Sequence, residues 1–207
     1  MEARKQEQLA RVYELKALSS QINPHFLYNT LDTIIWMAEF QDTTRVVSIT
    51  KALATYFRLA LNGGEDLITL TKEVDHVRQY LFIQQQRYEE KLSYEIQVDE
   101  NIPDILLPKL VLQPLVENAI YHGIKEINRP GRIQLTVQYQ SPYIKITIED
   151  NGVGLKKQGT SNKALGGVGI QNVQERLALY FGEEFKMEFD SVENSYTKVC
   201  LTIPVSN

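Results

Sequence analysis

The period of the apolar residues changes once along this chain, and that change limits what it can fold into. Up to about residue 62 apolar side chains return every three or four positions, as one face of a helix requires. Leu9, Val12, Leu15, Leu18, Ile22, Phe26 and Ile34 carry that spacing. So do Leu31, Ile35 and Ala38, and then Val46, Ile49, Leu53, Tyr56, Phe57 and Leu61. The pattern predicts two helices, roughly 3–40 and 43–62, broken near Gln41-Asp42-Thr43. Asp42 or Thr43 can cap the second helix, and Asn62-Gly63-Gly64 ends it. The product is a helical hairpin. Its apolar stripes are too exposed for one copy, so two hairpins should pair as a four-helix bundle.

From about Glu65 the pattern shifts to a helix over roughly 71–90 and then to alternation of period two. Leu92, Tyr94, Ile96 and Val98 face one way. The same holds for Ile133, Leu135, Val137 and Tyr139, for Ile144, Ile146 and Ile148, and for Val199, Leu201 and Ile203. Residues 132–150 read as a hairpin through Gln140-Ser141-Pro142, and helices near 109–124 and 168–181 separate the strands. The expected fold class is α+β: a mixed sheet with helices on one face. Leu155 to Gly166 is polar, basic and glycine-rich without an apolar period, which predicts a mobile loop. The expected domains are 1–65 and 66–207.

Composition narrows the function classes. The 207 residues are 43% hydrophobic and 23% charged, ordinary for a globular protein. A net charge of −4 leaves no nucleic-acid footprint. Cys200 is the single cysteine, which excludes an internal disulfide and fits a reducing compartment. It reads as structural on its strand, His76 as a solvated helix residue and Trp36 as dimer core. No apolar run reaches the ~18 residues that a membrane span needs. The charged opening helix, Glu2 to Lys16, suits a natural start or the cytoplasmic piece of something longer.

Four short segments carry candidate chemistry. Gln21-Ile22-Asn23-Pro24-His25-Phe26-Leu27-Tyr28-Asn29-Thr30 places His25 on a helix with no core use for it, beside a proline that should bend the helix. Histidine is largely neutral and nucleophilic near neutral pH. In Leu112 to Gly123, the residues Leu112, Leu115, Val116, Ala119 and Ile120 form an apolar stripe. Glu117, Asn118, Tyr121 and His122 are left on the other face, where an oxygen ligand can hold Mg²⁺. In Asp150-Asn151-Gly152-Val153-Gly154, Asp150 offers an acceptor for an exocyclic amine such as adenine's, and the glycines permit close backbone approach. In Gly166-Gly167-Val168-Gly169, glycines open a helix (Ile170, Val173, Leu177, Tyr180) whose N-terminal amides suit an anion. This is neither a Walker loop nor a dinucleotide fingerprint.

An Asn-bearing helix, then Asp-x-Gly-x-Gly, then glycines at a helix start, then Ser195-Tyr196-Thr197 entering a last strand resembles the Bergerat-type ATP-binding fold over about 70–207. That α/β sandwich is shared by sensor histidine kinases, type II topoisomerases, Hsp90 and MutL. The run Gln21 to Leu31 and the run Gln113 to Ala119 resemble the LytS/YesM-like subgroup of histidine kinases. The resemblance implies a dimerisation and phosphoacceptor domain followed by a catalytic ATP-binding domain. It implies that His25 accepts the γ-phosphoryl group of ATP and hands it to an aspartate of a response regulator receiver domain. By the same resemblance Asn118 holds Mg²⁺, and Asp150, Gly152, Gly154 and Thr197 form the adenine pocket. Gly167 and Gly169 line the phosphates, within reach of Lys156, Lys157 or Lys163. The implied setting is a homodimer in the cytoplasmic portion of a bacterial inner-membrane sensor, the membrane reached only through a sensor region absent from this chain.

Some positions depart from the subgroup's wider relatives. Phe26 stands where most histidine kinases carry an acidic residue after the histidine, so the proton acceptor is unassigned and Glu117 is a candidate. Tyr121 replaces a basic residue, and His122 either substitutes for it or is structural. Pro114 replaces the catalytic Glu of the hydrolytic relatives, which argues against a chaperone-like ATPase. The alternatives are a degenerate nucleotide-binding dimer without transfer, and a serine kinase of the same ATP-binding fold.

Overall fold

A computed structural model describes residues 24–61, 66–154 and 168–205. The chain divides into two compact units, 1–64 and 65–207.

In the first unit, α1 (Pro24–Glu39) and α2 (Thr43–Ala60) pack against each other through a tight turn. Pro24 is the first described residue of α1. Asp42 caps α2 by accepting from the Arg45 N–H at 3.1 Å. The Phe26 and Tyr56 rings meet at 5.0 Å, and both are buried. Thr30, also buried, satisfies its hydroxyl on the Phe26 carbonyl at 2.7 Å. Ile49, Leu53 and Tyr56 are thus buried in one chain, contrary to the expectation that the α2 stripe awaits a partner. Exposed apolar side chains remain on α1 (Tyr28, Leu31, Ile35 and Trp36), at Phe40 just after it, and at Val47 and Leu61 on and after α2. The expected helical segment before Pro24 and the glycine stop at residues 62–64 lie outside the described residues.

In the second unit, α3 (Leu70–Tyr88) follows a short strand β1 (Leu67–Thr69). Then come β2 (Leu92–Val98), β3 (Leu106–Pro108) and α4 (Gln113–Asn118), which runs on as a π turn through Ala119–Ile124. The hairpin β4 (Gly131–Gln140) and β5 (Tyr143–Asp150), helix α5 (Val168–Phe181) and strands β6 (Lys186–Val192) and β7 (Tyr196–Pro204) complete the unit. The main sheet has the order β2-β4-β5-β7-β6, with β2 parallel to β4 and the rest antiparallel. Ile133, Leu135, Val137, Ile144, Ile146, Ile148, Val199, Leu201 and Ile203 are buried, so the alternation marks the core face there, whereas Tyr139 and Val98, expected on core faces, are exposed at their strand ends. The α+β class stands, and the helix after the hairpin is as read.

Three elements differ from the sequence reading. A single helix over 109–124 is replaced by a short α-helix continuing as a π turn. Leu110, with a φ of 56°, turns the chain before Gln113, so no helix can start at 109. Strands β1 and β3 form a separate antiparallel pair of three residues each, too short to show a period. His76 is not solvated: it is 1% exposed within α3, and burial holds its pKa down at about 4. Tyr180 is exposed, so the buried stripe of α5 is Ile170, Val173 and Leu177.

Candidate functional site

Asn118 owes its position to a residue that the sequence did not single out. Glu73 on α3 is fully buried and accepts three backbone N–H groups: Leu110 at 3.1 Å, Val111 at 2.6 Å and Leu112 at 3.0 Å. Those donors precede α4, so the carboxylate caps the entry to the Asn-bearing helix and holds Leu110 in its unusual conformation. Burial pushes the Glu73 pKa up, while the three amides and the Arg176 charge pull it back. Only an apolar stripe interrupted by one carboxylate, Leu70-x-x-Glu73-Val74, could have flagged it in the sequence.

Past the cap, α4 buries Leu115 and Val116 and turns its other face to a cavity of about 290 Å³. Pro114, Glu117, Asn118, Tyr121, His122, Gly169 and Ile170 line it. The structure therefore brings Asn118, Glu117, His122 and Gly169 to one cavity. Glu117 accepts from Gln113 Nε2 at 2.8 Å, and burial raises its pKa against that bond. The Tyr121 hydroxyl is buried with no hydrogen-bond partner among the described residues. A Cβ on Gly169 would make ordinary contact with Pro114 at 3.9 Å, so that glycine is not sterically required here.

At the other end of the π turn lies Asp150, the last residue of β5. It is 4% exposed, and its pKa is raised to about 6, first by burial, against one hydrogen bond from the Gly152 N–H at 2.9 Å. A Cβ on Gly123 would collide with the Asp150 carboxylate, and one on Gly152 with the Gly123 backbone. The two glycines thus let the π turn and the Asp150 turn touch. Gly154 has a φ of 65° and its Cα faces the Val192 carbonyl, so a side chain is excluded twice. Thr197 pairs with Asp150 across β5 and β7, is buried, and lies 3.3 Å from the Ser191 hydroxyl. Gly123 belonged to a motif already noted, but its close approach to Asp150 needed the fold. A larger cavity of about 540 Å³, between Tyr88, Ile124 and Pro130, contains none of the expected site residues.

His25 stands in the first unit, exposed on α1. Its Nε2 lies 3.0 Å from Asn29 Nδ2, one helical turn on. An amide nitrogen only donates, so Nε2 carries the lone pair and Nδ1 the proton. Lys156, Lys157, Lys163 and Gly167, with the expected loop 155–166, lie outside the described residues.

Residues 13–92 match the histidine kinase family, and residues 104–207 match the histidine kinase-, DNA gyrase B- and HSP90-like ATPase family. The sensor histidine kinase YesM of Bacillus subtilis is 37% identical over 94% of this chain and 34% of its own length. The sensor protein LytS of Bacillus anthracis is 32% identical over 98% of this chain and 36% of its own. The chain thus spans about a third of the length of these curated relatives. The histidine kinase domain of a blue-light activated kinase from Erythrobacter litoralis shares the fold, with a TM-score of 0.54 at 16% identity over 92% of this chain and 93% of that one. The two family matches together span nearly the whole chain, and the chain belongs to the histidine kinase family.

Proposed function

We propose that this chain is the kinase core of a two-component sensor, which phosphorylates His25 from ATP and passes the phosphoryl group to an aspartate of a response regulator receiver domain. The observation that carries the reading is the buried Asp150 carboxylate, pressed between Gly123 and Gly152 with Thr197 opposite. A buried acceptor whose glycine neighbours permit close backbone approach suits the exocyclic amine of adenine. Asn118 and Gly169 at the other end of the π turn then suit the phosphates, with Gly167 and Lys156 as further contacts. His122 and the partnerless Tyr121 hydroxyl sit on the same cavity wall.

Among the described residues no cluster of three or more His, Cys, Asp or Glu could hold a metal by itself. Asn118 offers one amide oxygen, which fits Mg²⁺, because that ion takes most of its ligands from phosphates and water. Bound there, the ion supplies charge neutralisation on the phosphates. The chain's own groups do the rest. His25 Nε2 attacks the γ-phosphorus, the bond to the β,γ-bridging oxygen breaks, and ADP leaves. The Nδ1 proton must then go to a base. Glu117 suits that task, since its raised pKa makes it a better proton acceptor than an ordinary glutamate. The exposed stripe Tyr28, Leu31, Ile35, Trp36 and Phe40 is the surface we assign to a second copy in a homodimer. The proposed domains are a dimerisation and phosphoacceptor part up to residue 65 and a catalytic part from 66 to 207.

Incubation with γ-labelled ATP tests the reading. Acid-labile, alkali-stable label should appear on the parent chain, vanish in His25→Gln and fall sharply in Asp150→Ala and Asn118→Ala. Acid-stable label would point to a hydroxyl acceptor and so to the serine kinase alternative. Nucleotide binding without any label would leave a binding module.

A further inference from the structure

Arg129 lies in the loop between the π turn and β4 and takes no part in the proposed chemistry. Its Nη2 approaches four backbone carbonyl oxygens: Asn151 at 2.6 Å, Gly152 at 3.3 Å, Asn194 at 3.4 Å and Ser195 at 3.4 Å. Two hydrogens cannot serve four acceptors equally. The short bond therefore goes to Asn151, and the charge is shared among the rest. The four carbonyls belong to two different turns. One follows Asp150, and the other precedes Thr197. Asp150 and Thr197 face each other across β5 and β7, so Arg129 ties together the two chain crossings that flank this pair.

Neighbouring bonds make the clip specific. The Asn151 side chain accepts from the Arg132 N–H at 2.6 Å and donates to the Pro130 carbonyl at 3.0 Å, so the chain just after Arg129 is already seated on the Asp150 turn. The Asn194 N–H and the Val153 carbonyl are also bonded, which brings the two turns together directly. What Arg129 adds is a cation among convergent carbonyl dipoles, which would otherwise repel one another. A planar, permanently charged fork meets that need better than an ammonium does.

We infer that Arg129 is a positioning residue for base recognition: by holding both turns it keeps Asp150 and Thr197 at the separation that accepts adenine and rejects guanine. The inference rests on the nucleotide reading above. Guanine presents a carbonyl where adenine presents its amine, so a fixed Asp150 repels it and a loosened one tolerates it.

The test measures dissociation constants of the full chain for ATP and for GTP, with the apo melting temperature of each variant. Arg129→Ala should weaken ATP by about tenfold while changing GTP by less than about twofold, narrowing the ATP-to-GTP preference. Arg129→Lys should recover part of that preference. A purely structural role would instead lower affinity for both nucleotides in parallel with the melting temperature, and that result would overturn the inference. So would an unchanged preference in Arg129→Ala. A parent chain that binds neither nucleotide would overturn the nucleotide reading itself, a failure separable from that of Arg129.

Discussion

Asp150 combines two demands that conflict. Recognition wants an ionised carboxylate, because a charged acceptor makes the stronger hydrogen bond. Its burial disfavours the charge and raises the pKa to about 6, so a sizeable neutral fraction appears as the solution becomes mildly acidic. ATP affinity of the parent chain should therefore fall as pH drops from 7.5 to 5. Asp150→Asn should bind more weakly at pH 7.5, by an amount consistent with the ~1–3 kcal/mol of a lost or mismatched buried hydrogen bond. Its own pH profile should be flatter. Parallel profiles in calorimetric titrations would remove Asp150 from the base site. His25 poses a related question one unit away. The Asn29 amide occupies the Nε2 lone pair, which must be released before attack on phosphorus. Asn29→Ala should then speed or preserve labelling of His25, whereas slower labelling would mean that the amide orients the ring productively. Quenched-flow measurement of the first turnover separates the two.

Helix α4 shows how an element can be set from outside itself. Six residues make a marginal helix, and Pro114 removes a donor from its first turn. Its start is secured by Glu73, thirty-seven to thirty-nine positions earlier in the chain. Replacing Glu73 by Ala would strand three backbone donors in the core, at ~1–3 kcal/mol for each unsatisfied group before relaxation. The expected outcome is a loss of about 3 kcal/mol or more in urea unfolding, with Glu73→Gln intermediate because its amide oxygen can still accept. Equal stability of Glu73→Ala and the parent would show that water satisfies those amides. This dependence explains what the sequence could and could not disclose. Period-two runs identified β4, β5 and β7, since each has one face that is buried over most of its length. The Asn118 and Asp150 motifs were visible because their residue types carry chemistry at fixed spacing. The Glu73 cap, the Gly123 contact and the π turn were not visible, because each is a bond between segments distant in sequence or a change of helical period without its own residue code. Strand β6 alternates only between exposed and half-buried positions, so it left no apolar signal.

Across the whole molecule, buried ionisable groups make opposite contributions to stability, and two of them nearly cancel. Asp150 titrates at about 6 folded against 3.8 unfolded. The folded form holds its proton longer, so this stabilisation is complete below pH 3.8 and is lost as pH rises through 6. His76 titrates at about 4 folded against 6.5 unfolded. The unfolded form holds that proton longer, so its contribution is complete above pH 6.5 and is lost as pH falls through 4. Each displacement is worth about 3 kcal/mol at its limit. Between pH 4 and 6 the two slopes oppose, and the pair adds little net dependence in the parent chain. Glu73 and Glu117, both raised by burial, slope in the same sense as Asp150, and comparing variants with the parent removes their share. Asp150→Asn should make stability rise more steeply with pH than the parent across this window, while His76→Gln should make it fall. Both residues lie in the 65–207 unit, whereas the single tryptophan, Trp36, lies in the other. Fluorescence would therefore follow the wrong unit. Urea unfolding watched by far-ultraviolet circular dichroism at pH 4, 5 and 6 reads the backbone of both units, the one that carries Asp150 and His76 included. Slopes that shift in the same direction in both variants would contradict the opposing signs.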